Sequence, residues 1–127
     1  MHWSRKYISI PYSEMNCAEF TEHVLSDYFN IDFKFPQSQG SFFMESHQIR
    51  KEMHKFVFPT PTLDPEDGDL VLMSGTKRLN HVGLCVRLKG VSYVLHTQKS
   101  FGCACLHKVS ELSFYGLFLE GFYKWQK

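Results

Sequence analysis

Five short β-rich runs crowd the second half of this chain: DLVLMS (69–74), HVGLCVRL (81–88), VSYVLHT (91–97), GCACLHKV (102–109) and LFLEGFYKW (117–125). The connections between them are short and hold Gly, Ser, Asn or Lys. Parallel pairing would need a crossover of about a dozen residues or more between successive strands, so the runs predict an antiparallel meander of hairpins. Ahead of them lies NCAEFTEHVLSDYF (16–29), in which Cys17, Phe20, Val24, Leu25 and Tyr28 share one stripe at helical spacing. Asn16 is placed to cap this helix and Glu19 to complete a capping box. A weaker pattern with Ile49, Met53 and Phe56 predicts a second helix over 44–56. FPTPTLDPEDG, with Pro59, Pro61, Pro65 and Gly68, reads as a surface connection between the halves. The expected class is α+β, with N-terminal helices packed on an antiparallel β-sheet meander.

With 127 residues the chain has room for one domain, 1–127. A hydrophobic fraction of 43% and an aromatic fraction of 16% supply a core and exclude a disordered chain. The formal charge of +1 is too small for the broad field on which nucleic-acid or anionic-membrane binding depends. No apolar run approaches the roughly 18 residues that span a bilayer, so membrane insertion is not expected. The opening MHWSRKYISIPYSEMN has no signal-peptide core. The chain is therefore expected to be made and folded in the cytoplasm, with its four cysteines as free thiols. Cys103, Cys105 and His107 (CACLH) have a look of metal ligands, but strand alternation puts all three on one face without a metal, and no CxxC pair completes a zinc set. No metal and no cofactor are expected.

The chemistry is sought at Cys17. A thiol in the first turn of a helix meets unpaired N–H groups and the positive end of the macrodipole, both of which favour thiolate and an oxyanion beside it. A general base can be located by counting register along HVGLCVRL-KG-VSYVLHT. With Lys89-Gly90 as a two-residue turn, Leu88 faces Val91, Gly83 faces His96, and His81 and His96 project from the same face as diagonal neighbours. Gly83 leaves space opposite His96. His81 is then the candidate base for Cys17, and His96 the group that orients His81. The other five histidines, His107 among them, read as ordinary surface residues.

In this order, IPY, NCAEFTEHVL, GDLVLM, NHVGLCV and YVLHT together resemble the NlpC-type (NlpC/p-sixty) superfamily of papain-like cysteine peptidases, most of all the compact versions carried by tailed bacteriophages. The resemblance runs from about Tyr7 to the closing EGFYKW. It implies a small papain-like α+β domain with a Cys17, His81, His96 triad, entered through the Gly68-Asp69 turn. It also implies that Tyr12, beside the nucleophile, serves the oxyanion or the substrate, with Asn16 flanking the same cleft. The implied substrate is an amide bond of bacterial peptidoglycan stem peptides. Where the family carries Asp before the nucleophile and a Ser-Gly or Trp-Gly pair after it, this chain has Asn16 and Ala18-Glu19.

Two other readings stay open. Papain-like acyltransferases or deamidases similar to lecithin:retinol acyltransferase use the same groups, but there the His precedes the Cys. A structural or assembly component of a tail-like particle would bind partner proteins through the aromatic C-terminal segment, Tyr115, Phe118, Phe122, Tyr123 and Trp125. Expected partners are accordingly a peptidoglycan peptide, tail-like assembly proteins or an immunity protein, with delivery to the wall by a virion tail or secretion device.

Overall fold

A computed structural model describes residues 2–35, 60–75 and 80–125. The second helix expected over 44–56 lies outside the described residues. A 3-10 helix, Trp3–Lys6, leads into α1, Cys17–Phe29. The Asn16 side chain accepts from the Glu19 N–H at 2.9 Å, and Glu19 Oε1 accepts from the Asn16 N–H at 3.1 Å, so the capping box is formed. Asn30 ends the helix in the left-handed region at φ 57°, and the Ile31 N–H returns to the Leu25 carbonyl.

The strands are β1 (Thr60–Thr62), β2 (Leu70–Gly75), β3 (Asn80–Leu88), β4 (Val91–Thr97), β5 (Ala104–Lys108) and β6 (Leu117–Lys124). They form one antiparallel sheet in the order β1-β6-β2-β3-β4-β5. The class is α+β, but the meander holds only from β2 to β5. β6 crosses back past the whole sheet to pair with β2, because Leu117 and Phe122 find their apolar partners beside Val71 and Met73. β1 corrects a second expectation: Thr60–Thr62 is a strand in spite of Pro61, tolerated because β1 stands at the edge of the sheet among the described residues. A 3-10 helix over Val109–Tyr115 also went unforeseen.

The sheet buries both faces. On one, Cys17, Phe20, Val24 and Leu25 of α1 pack with Leu70, Leu72, Val82, Leu84, Val86 and Leu95. On the other, Val71, Met73, Cys85 and Val94 pack with Leu112 and Leu117 under the Val109–Tyr115 helix. Two-residue alternation along β3 and β4 assigns neighbouring side chains to opposite faces, which separates Val82 from His81 and Leu95 from His96.

Gly68 shapes the entry to β2. Its φ of +87° suits glycine, and a Cβ there would stand 2.6 Å from Cε1 of Phe29. Its carbonyl accepts from the Trp125 indole at 2.6 Å. Asp69 then accepts from the Glu66 N–H at 2.8 Å and from the Lys124 ammonium at 3.1 Å. No helix among the described residues is long and apolar enough to cross a membrane.

Candidate functional site

The β3–β4 hairpin turns through Lys89 (φ 51°) and Gly90 (φ 79°), both left-handed as a type I′ turn requires. Leu88 pairs with Val91 and Leu84 with Leu95, so the counted register is the observed one, and its next step sets Gly83 against His96. A Cβ on Gly83 would lie 2.9 Å from His96 Cβ, 2.8 Å from the Leu95 carbonyl oxygen and 2.6 Å from Val94 Cγ2. The vacancy lets the rings meet diagonally across the hairpin, with His81 Nε2 and His96 Nδ1 2.7 Å apart. His81 retains 4% of its exposure and His96 none.

The chain of rings does not stop there. His96 Nε2 lies 2.9 Å from Nδ1 of His107 on β5. His107 stacks on Tyr115 at 3.9 Å between centroids, and Phe101 closes edge-on against both His96 and His107. Reading the sequence as isolated strands missed His107. The signal was there in the β4–β5 pairing, which sets His96 opposite Cys105 and so His107 on the diagonal.

Cys17 arrives from the other side of the sheet. The backbone N–H groups of Val82, the residue after His81, and of Ala18 and Cys17 itself lie by its sulfur and favour the thiolate. The thiol thus sits at the His81–Val82 peptide near the start of β3. Among the described residues no hydrogen bond joins the thiol to the His81 ring, and His81 Nδ1 is unbonded. Tyr12 belongs to the same group: its phenol is pushed up by burial, then by the negative charge that Cys17 and Glu19 can carry. Tyr12 is held there because the Ser9–Tyr12 segment runs along β5, with Ser9 and Tyr12 donating to the Ala104 and Gly102 carbonyls and Ile10 accepting from Ala104. The Asn16 carboxamide oxygen is taken up by the helix cap.

The electrostatics correct one expectation. A helix N-terminus favours thiolate, yet burial outweighs it and pushes the Cys17 thiol up to about 11. Burial also holds His81 down to about 4, and His96 well below its ordinary range, helped by the neighbouring His81 and His107. At neutral pH the resting pair is a neutral thiol and a neutral imidazole. A neutral imidazole is competent as a general base, and no preformed thiolate–imidazolium pair stands at rest.

The remaining cysteines are free. Cys105 donates to the Cys103 carbonyl at 3.4 Å. Among the described residues no group of three or more His, Cys, Asp or Glu side chains converges as metal ligands would. Scanned against protein-family models, the chain matches none, and no curated protein matches it.

Proposed function

We propose that the chain is a thiol hydrolase of papain-like type that cleaves an amide bond in peptidoglycan stem peptides. The observation that carries this reading is the 2.7 Å contact between His81 and His96, a buried imidazole held by a second imidazole on the strand whose Val82 N–H lies by the thiol at the N-terminus of α1. Cys17 Sγ attacks the amide carbon while His81 Nδ1 takes the thiol proton. The tetrahedral oxyanion is met by the first-turn N–H groups of α1 and by the Tyr12 hydroxyl. The C–N bond then breaks as His81 returns the proton to the leaving amine, and water, deprotonated by the same nitrogen, hydrolyses the thioester to acid and free Cys17. The cell-wall substrate rests on the resemblance of the ordered motifs to NlpC-type peptidases.

The test is digestion of purified peptidoglycan and of synthetic stem peptides, read by mass spectrometry, with wild type, Cys17→Ala and His81→Ala. New amine and carboxyl ends formed by wild type and absent from both folded variants support the reading. Equal product from Cys17→Ala removes it.

A second reading, an assembly component of a tail-like particle, is favoured by a separate observation. Of the aromatic segment expected to bind partners, Phe122, Tyr123 and Trp125 instead pack against the two cores, whereas Phe114, Phe118 and Leu119 are 79%, 52% and 42% exposed around the start of β6, away from the residues that pack α1. Mutating them to Ser would abolish co-assembly with tail-like proteins under this reading while leaving hydrolysis untouched.

A further inference from the structure

We infer that His107 is a positioning residue, the terminal acceptor of a three-imidazole chain that fixes which nitrogen of His81 is free to act as base. The inference deepens the thiol-hydrolase reading and rests on it for its catalytic consequence, though not for its geometry. His81 Nε2 meets His96 Nδ1 at 2.7 Å, and His96 Nε2 meets His107 Nδ1 at 2.9 Å. A neutral imidazole has one N–H and one lone pair, and each of these contacts needs one proton between its two nitrogens. Because both contacts run from Nε2 to Nδ1, only two proton patterns satisfy them.

In the first, all three rings carry their proton on Nε2: His81 donates to His96, and His96 donates to His107. His81 Nδ1 is then a lone pair and can take the Cys17 proton. In the second, all three carry it on Nδ1, His107 donates to His96, and His96 donates to His81. His81 Nδ1 is then already protonated, so the base is blocked. His96 is fully buried, so no water can relieve a mismatch inside the chain, and the end ring decides for all three.

The His107 end is built to accept. The ring is half-buried, so its Nε2–H has water within reach, and it is clamped by stacking on Tyr115 and by the edge of Phe101. The Glu111 carboxylate lies near enough to favour protonation of this ring against the effect of burial. The first feature lets water satisfy an Nε2–H, and the second suits, as His81 becomes imidazolium in the reaction, displacement of positive charge toward the half-buried end.

Removing the acceptor turns the chain around. In His107→Phe the aromatic packing survives, but an Nε2–H on His96 would be left buried and unpaired. Moving that proton to Nδ1, where it is donated to His81, leaves only an unpaired lone pair. His81 is then forced into the blocked form.

The experiment is two-bond 1H–15N correlation of the imidazole nitrogens at mildly alkaline pH, in wild type, His107→Phe and His107→Gln, with backbone amide spectra to confirm the fold. The expected result is Nε2–H on His81 and His96 in wild type, Nδ1–H on both in His107→Phe, and recovery of the wild-type pattern in His107→Gln, whose amide oxygen can accept from His96. With a hydrolysable peptide, kcat of His107→Phe should fall by roughly tenfold or more with KM unchanged, and Gln should restore it. Nδ1–H on His96 in wild type overturns the assignment without recourse to any variant. So does a tautomer pattern unmoved by His107→Phe. If wild type hydrolyses no peptide amide, the hydrolase reading falls, while the nitrogen spectra still decide the role of His107.

Discussion

Gly83 and His96 face each other across the β3–β4 hairpin with no room for even a methyl group between them. The space a side chain would occupy at Gly83 is filled by His96 Cβ, by the Leu95 carbonyl and by Val94. A glycine in mid-strand ordinarily weakens a sheet; here its missing side chain is what lets His81 reach across to His96. Gly83→Ala should therefore cost roughly 1–3 kcal/mol through overpacking against backbone, measured by chemical denaturation, and should reduce hydrolysis by displacing the His96 ring. A variant as stable and as active as wild type would show that the hairpin yields at this point.

The neutrality of the resting thiol is open to direct measurement. Alkylation of Cys17 by iodoacetamide, followed peptide by peptide, should keep rising with pH toward the value near 11 that burial imposes. Cys85, buried and pushed up to about 12, should label later still. A Cys17 rate that levels off below pH 8 would mean that a thiolate–imidazolium pair already exists at rest.

Acid should unfold the protein through its buried histidines. His81 binds protons near 6.5 when unfolded and near 4 when folded, so its contribution is fully present above 6.5 and is lost as pH falls through 4. That difference corresponds to roughly 3 kcal/mol, and His96 acts in the same direction. Stability measured from pH 7 down to pH 4 should fall in wild type, and less steeply in His81→Gln. Activity that needs neutral His81 should persist well below pH 6.

Asn16 offers a test of local structure apart from catalysis. Asn16→Ala removes the acceptor of the Glu19 N–H and should lower stability by about 1 kcal/mol. Asn16→Asp keeps the acceptor, adds a negative charge at the positive end of α1, and should be at least as stable as wild type. Thermal denaturation of the two variants checks both signs.

How far the sequence could be read depended on how local each determinant is. The cap at Asn16, the apolar stripe of α1 from Cys17 to Leu25 and the Lys89-Gly90 turn are fixed within a few residues of themselves, and each formed as their chemistry dictates; Tyr28, expected on the same stripe, is exposed instead and stacks on Trp3. The His81–His96 pairing followed because a two-residue turn sets the register of the whole hairpin. β6 beside β2, by contrast, depends on which apolar face is left uncovered once the rest of the sheet exists. The Val109–Tyr115 helix lacks a repeating apolar pattern. His107 was missed because the loop between β4 and β5, residues 98–103, does not announce a register. Only the paired strands reveal that His107 lies diagonal to His96. The effect of burial on Cys17 was also illegible, since it depends on what the fold places over the first turn of α1.

The backbone bonds that tie Ser9, Ile10 and Tyr12 to Gly102 and Ala104 have a colloidal consequence. An open sheet ends in a row of unpaired amides that can recruit a second molecule and propagate into fibres. On the β5 side that row is partly taken up by the chain's own N-terminal segment, bridged at Pro11 and Cys103. On the far side β1 is only three residues long, with a proline at its centre. Along Thr60–Thr62, and along β5 where Ser9–Tyr12 lies, the border of the sheet is thus a poor template for strand addition.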